Sequence, residues 1–209
     1  MTTMRNTLIL IMPFLLLTAC SFGGHTPPQT TFDLGAATPA LQPTALPPLI
    51  VAYPTVPSWL DNSEMLYRLN YADQRELHSY ANSRWSAPPL QLFGERLKMR
   101  LSEAGGRVLS PADGAQNVTL MLRTDAEDFT QQFDRPDHAS GRLALRVSLF
   151  DGRKLVAQTT ITEQEDATSP DAAGGARVLS RASDLAIADI IRWLAGLNLQ
   201  QSLQPNLQH

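Results

Sequence analysis

The sequence predicts an α+β fold, a largely antiparallel sheet with two helices packed on one face. Two kinds of periodicity carry that reading. Apolar residues recur at helical spacing in Leu90, Phe93, Leu97 and Leu101, and again in Leu179, Ala182, Ala186, Ile190, Trp193 and Leu197, so each segment has one stripe to bury. Elsewhere apolar and polar residues alternate, as in Leu143, Leu145, Val147 and Leu149, and Asp151-Gly152 turns this run tightly back onto Leu155, Ala157, Thr159 and Ile161. The order strand, strand, helix, strands, helix suits helices segregated to one face of a sheet.

The chain opens on a secretory signal, residues 1–19. Residues 1–7 carry one positive charge, Arg5, and no acid; residues 8–17 are apolar; Thr18 and Ala19 are small enough for a peptidase to reach the next bond. The apolar run is shorter than the roughly 17 to 25 residues that span a bilayer. Its end, Leu17-Thr18-Ala19-Cys20, resembles the lipobox of bacterial lipoproteins. That resemblance implies cleavage between Ala19 and Cys20 and acylation of Cys20 on its sulfur and its new amine. Several acyl chains hold a protein on a membrane where one gives only marginal binding. A lone cysteine is more often a small buried hydrophobe, but residues 21–48 are rich in Pro, Gly and Thr and offer no core to bury it. By resemblance to the sorting of Gram-negative lipoproteins, Ser21 rather than Asp after the cysteine implies the outer membrane, with the body of the protein in the periplasm.

Residues 20–48 read as the lipidated cysteine and a tether with a short strand near 30–35, since Pro39, Pro43, Pro47 and Pro48 favour extended backbone. The folded domain is expected over residues 49–197. Residues 49–56 read as an edge or interrupted strand because of Pro54, and residues 64–69 and 76–80 as strands around a polar turn. Ser86 is the expected cap of the first helix, with Pro88 and Pro89 in its first turn and Gly105-Gly106 ending it. Val118, Leu120 and Leu122 begin the next strand. The last helix is expected over residues 170–197, with Arg177, Arg181, Asp184 and Arg192 on its polar side. Residues 198–209 are polar, Gln-rich and read as a flexible tail.

Composition narrows the function. Net charge is -3, and losing Arg5 with the signal makes it -4, which argues against a nucleic-acid surface. Cys20 is the sole cysteine, so neither an intrachain disulfide nor cysteine-type zinc is expected. His25, His78, His138 and His209 are scattered over tether, strand, loop and tail and read as surface groups. Glu163, Glu165, Asp166 and Asp171 lack the spacing and glycine of a calcium loop and read as a solvated strand end. Asn117-Val118-Thr119 matches a glycosylation pattern with no expected role here. No hydrolase, phosphate-loop or metalloprotease motif is present, so no catalytic residue, metal or cofactor is expected beyond lipid on Cys20.

Two aromatic clusters remain, Trp59-Leu60 with Tyr67-Arg68, and Arg84-Trp85. Such residues dominate interface energies and also fill cores; Trp85 leans to the core as a staple before the helix, and Trp59 is balanced between the two. With residues 56–61 and 65–68, and with Arg84-Trp85-Ser86-Ala87-Pro88 leading into a helix, the chain resembles the ABC-type transport auxiliary lipoproteins. Those proteins share a proline with a leucine shortly after, a hydrophobic-Tyr-Arg strand and an Arg-Trp-x-x-Pro helix start. Phe32-Asp33-Leu34-Gly35 is similar to their first strand, residues 122–133 to their strand ending in a Phe and a Gln, and residues 142–158 to their hairpin. The doubled prolines Pro88-Pro89 depart from the pattern and shift the expected helix start by a residue.

The resemblance implies an accessory component of a system moving lipids or other hydrophobic molecules across the envelope. Its implied partners are a periplasmic protein with a mammalian-cell-entry domain and, through it, an inner-membrane ABC permease and ATPase or an equivalent membrane protein. Trp59, Leu60, Tyr67, Arg68, Arg84 and Trp85 are the candidate partner interface, and a homo-oligomer is left open. An activator or organiser of peptidoglycan synthesis is the alternative, which a tether and a small head also suit, and a periplasmic hydrolase with a triad assembled from distant residues is the third. Mass spectrometry of the membrane fraction is expected to find a diacylated or triacylated N-terminal peptide beginning at Cys20. Unchanged processing and attachment of Cys20→Ala would refute lipidation there.

Overall fold

The structure is a computed structural model that describes residues 28–37, 44–113 and 118–197. Ala19, Cys20, His25, Asn117, His209 and the tail from residue 198 lie outside those residues. In chain order the elements are β1 (Thr30–Phe32), β2 (Leu49–Val51), β3 (Glu64–Leu69), β4 (His78–Trp85), α1 (Pro89–Glu103), β5 (Val108–Leu109), β6 (Leu120–Arg135), β7 (His138–Asp151), β8 (Lys154–Asp166) and α2 (Ala172–Gly196).

β6 is the axis of the sheet. One of its edges carries a long antiparallel ladder to β7, which continues to β8. Its other edge is shared by two short strands, with β2 parallel beside Met121 and Leu122 and β3 parallel beside Gln131, Gln132 and Phe133. β4 pairs antiparallel with β3, β1 parallel with β4, and β5 parallel with β2. The α+β class holds, but the sheet is mixed: its long ladders are antiparallel and its short peripheral pairings largely parallel. Parallel partners arrive through crossovers, which leave no tight-turn signature in the sequence. The hairpin at Asp151-Gly152 is as expected, with Gly152 at φ 55° and its N–H on the Thr119 carbonyl.

β6 is far longer than its opening alternation indicates. A bulge between Ala126 and Asp128 shifts its inward side from Leu122, Thr124 and Ala126 to Phe129, Gln131 and Phe133, all buried. β4 begins later than residue 76, because the Glu76 N–H closes a turn onto the Asp73 carbonyl, and it runs on to include Arg84 and Trp85. Ser86 does not cap α1. Pro88 holds the N-cap position without a side-chain hydrogen bond, Pro89 opens the helix, and the Ser86 N–H donates instead to Phe32. β1 is part of the sheet and Leu34 part of the core, so the folded unit reaches N-terminal of residue 49.

The helices touch each other and both contact β6, while α2 extends over β7 and β8. α2 is capped by Asp171, whose carboxylate accepts from the Gly174 N–H at 2.6 Å and from Ser169. These bonds hold the Asp171 carboxyl below its usual value. α2 crosses β7 at Gly141, where a Cβ would lie 2.6 Å from Val178, so the close approach requires glycine. Alternation then puts Leu143, Leu145, Val147 and Leu149 on the same face, and all are fully buried. Each such side chain stabilises the fold by about 1.5–3 kcal/mol.

Asp184 is not on the polar side of α2. It is 8% exposed and pairs with Arg96 of α1, Oδ1 to Nη1 3.1 Å, because α1 lies along that flank and brings a buried guanidinium to it. Arg96 also donates to Ser180 at 3.3 Å and to the Gly35 carbonyl, and the Ser180 hydroxyl donates to the Leu34 carbonyl. One side chain thus joins α1, α2 and the segment after β1. Arg96→Ala and Asp184→Ala should each cost about 3–5 kcal/mol by removing one half of a buried ion pair, while Arg96→Met with Asp184→Leu recovers most of the loss. Urea unfolding checks this, and simple addition of the two single losses in the double variant would contradict it.

Candidate partner-docking site

Trp59 and Leu60 sit on a turn closed by the Leu60 N–H on the Pro57 carbonyl. Asn62 locks it, donating to the Trp59 carbonyl at 3.0 Å and accepting from the Glu64 N–H at 2.8 Å. The turn drives Leu60 into the core at 1% exposure and leaves the Trp59 indole half-buried beside it. Arg68 of β3 places its guanidinium 5.8 Å from the Trp59 ring centroid, and its Nη1 donates to the Gln74 carbonyl. A cation over a partly exposed indole contributes on the order of 1 kcal/mol.

The sheet divides the expected cluster. Tyr67 and Arg68 are neighbours on a strand and so point to opposite faces. Tyr67 lies on the helix side, stacked on His78 at 5.1 Å and packed against Tyr80 and Phe133. The Tyr80 hydroxyl donates to Gln131, and Gln131 donates to the Asp171 carbonyl, tying this aromatic group to the start of α2. Burial, with Tyr67 and Asp171 nearby, pushes the Tyr80 phenol well above its usual value. Trp85 is core, 2% exposed with its ring edge on Phe129 at 5.6 Å. Arg84, its neighbour on β4, points the other way, exposed and opposite Glu64. Leu60 and Trp85 therefore position the surface; Trp59, Arg68 and Arg84 present it.

The face of the sheet away from the helices extends that surface. Asp128, beside the bulge, meets Arg142 at 3.3 Å and accepts from Thr130 and Gln132. Burial pushes the Asp128 carboxyl above its usual value, while Thr130, Arg142 and Arg68 pull it back. Glu127 pairs with Arg146 at 3.0 Å, and Arg123 lies over Phe150. Sequence reading missed these residues. The signal was there in β7, where the polar residues Ser140, Arg142, Arg146 and Ser148 fall on alternate positions. The acidic group at the strand end is dispersed: Glu165 pairs with Arg181, Asp166 with His138, and Asp171 caps α2.

A sequence model of the ABC-type transport auxiliary lipoprotein component family matches residues 32–191. The chain belongs to that family. Protein XCC0632 from Xanthomonas campestris has a similar structure, with a TM-score of 0.71 and 19% identity over 84% of this chain and 99% of that one. A second solved structure, described only as an uncharacterized protein, matches with a TM-score of 0.63 and 17% identity over 79% of this chain and 98% of its own. At these identities the likeness is one of fold. No curated protein matches significantly. The family match covers residues 32–35, β3, Arg84–Trp85 with the start of α1, β6 and the β7–β8 hairpin, on which the resemblance was read, and extends over all but the end of α2. Among the described residues of this auxiliary lipoprotein, no helix is long and apolar enough to cross a membrane.

Proposed function

We propose that this auxiliary lipoprotein is held to the outer membrane through acylated Cys20 and docks a periplasmic partner with a mammalian-cell-entry domain. Through that partner it serves an inner-membrane ABC permease and ATPase, or an equivalent membrane protein, that moves lipids or other hydrophobic molecules. The protein itself does no covalent chemistry in this reading; its role is attachment and positioning. The observation that carries the proposal is the half-exposed Trp59–Arg68 pair, mounted on a rigid turn at the open face of the sheet, in a chain of this family. Arginine and tryptophan are the residue types that dominate interface energies, and here Asn62 bonds the turn that carries Trp59 while the Gln74 carbonyl accepts from Arg68.

The test is affinity between the purified full-length lipoprotein and the periplasmic domain of a mammalian-cell-entry protein from the same envelope. Trp59→Ala and Arg68→Ala should each weaken binding by about 2 kcal/mol or more, roughly 30-fold in Kd, with little change in unfolding midpoint. Equal losses of stability and binding would assign the pair to the core. Unchanged binding by both variants would place the interface elsewhere.

A further inference from the structure

Four stretches of chain meet at one end of the sheet. β3 runs parallel to β6, and β4, antiparallel to β3, therefore starts where β3 and β6 finish. The β3–β4 turn, residues 70–77, and the β6–β7 turn, residues 136–137, lie at that end, and β8 finishes beside them because Asp166 pairs with Ser140. β1 is parallel to β4, so the chain preceding Thr30 leaves the sheet toward the same end. Asp151-Gly152 turns at the opposite end.

Cys20 stands ten residues before Thr30, a length that spans at most about 33–36 Å. Through Arg84 and Glu64, Thr31 lies level with the middle of β6, so either end of the sheet is roughly 25 Å away at about 3.3 Å per residue. Direction separates the two. The chain leaving Thr30 is already headed for the turn end and reaches it without a bend, whereas a reversal toward Asp151-Gly152 would use nearly its full length.

The side chains at the turn end suit a layer of lipid headgroups. Tyr71 is 48% exposed on the first turn, and a tyrosine, with an apolar ring and a polar tip, is a side chain of membrane–water interfaces. Both arginines of the turns are spent locally: Arg75 pairs with Asp73 at 2.9 Å and Arg135 with Asp137 at 3.5 Å. Glu76, Asp134 and Asp166 leave this end acidic, which a zwitterionic leaflet accepts and an anionic one repels. We infer, resting on the acylation of Cys20 proposed above, that the domain stands end-on to its membrane. Tyr71 then lies among zwitterionic phospholipid headgroups, and the Asp151-Gly152 turn points away from them.

Quenching of a fluorophore on the full-length protein, in phosphatidylcholine vesicles that carry a nitroxide on the headgroup, tests the orientation. Acylation occupies the Cys20 thiol, so Ala72→Cys, Asp137→Cys and Arg153→Cys, all at exposed positions, each take up one label. The labels of Ala72→Cys and Asp137→Cys should be quenched severalfold more than that of Arg153→Cys, and adding Tyr71→Ser should remove most of the quenching at Asp137→Cys. Equal or stronger quenching at Arg153→Cys overturns the inference, as does none at any of the three positions, which would hold the domain clear of the membrane. Quenching at Asp137→Cys that ignores Tyr71→Ser overturns the contact assigned to Tyr71. The wild type separates these failures from failure of the anchor. If its Cys20 takes up label and the protein does not float with the vesicles, the anchor falls and the inference with it; flotation with the wrong quenching pattern removes the inference alone.

Discussion

Much of this structure depends on one buried guanidinium. Arg96 reaches from α1 to Asp184 and Ser180 on α2 and to the Gly35 carbonyl beyond β1, so three stretches of chain far apart in sequence meet at one planar group. Arginine suits the position because its fork of donors serves several acceptors at fixed angles. A buried ion pair adds little net stability against a well-packed apolar substitute, but an arrangement that buries either charge alone is heavily penalised. Any other seating of α1 and α2 that parted Arg96 from Asp184 would carry that penalty. The pair also fixes the start of the folded unit. The segment after β1 is held by Arg96, by Ser180 at the Leu34 carbonyl and by burial of Leu34, so the stretch leading from the proposed membrane anchor arrives at the helix layer.

Covering one face of the sheet with helices decides the character of the other. β6 and β7 are central strands, and alternation delivers their apolar files to the helices and their arginines and acids to the open face. The bulge at Ala126/Asp128 is what lets one strand do both over sixteen residues, since it resets the alternation part-way along. Trp59 reaches the same region from a separate turn. The proposed docking surface thus rests on backbone elements whose positions are set by the core: Leu60 and Trp85 lie beneath it, each next in sequence to a residue that presents it.

Local sequence patterns were enough for β3, α1, the β7–β8 hairpin and α2, because each is defined within its own window: a helical stripe, an alternation, an Asp-Gly turn; that Asp171 caps α2 was not read there. The unread parts are set by distant partners. β2 and β5 exist as short strands because they pair with each other and with β6, and nothing in Val108-Leu109 alone announces it. Arg84-Trp85 looked like a lead-in to a helix and proved to end β4, where β1 meets it in parallel. Asp184 looked solvent-facing because its helix position is polar; only the arrival of α1 buries it. At the candidate site, residue types pointed to Trp59 and Arg68, while the opposite orientations of Tyr67 and Arg68 followed only once β3 was placed between β4 and β6.

Arg96 locks the N-terminal segment to the helix layer as part of one cooperative unit. Native-state hydrogen exchange on the wild type and on Arg96→Lys tests it most directly, because lysine keeps the charge and gives up the fork. Amides of residues 31–36 and of the α1–α2 contact should lose protection together in the variant, while those of the β6–β7–β8 ladder keep theirs. Unchanged protection at residues 31–36, or a uniform loss across the whole sheet, would contradict it.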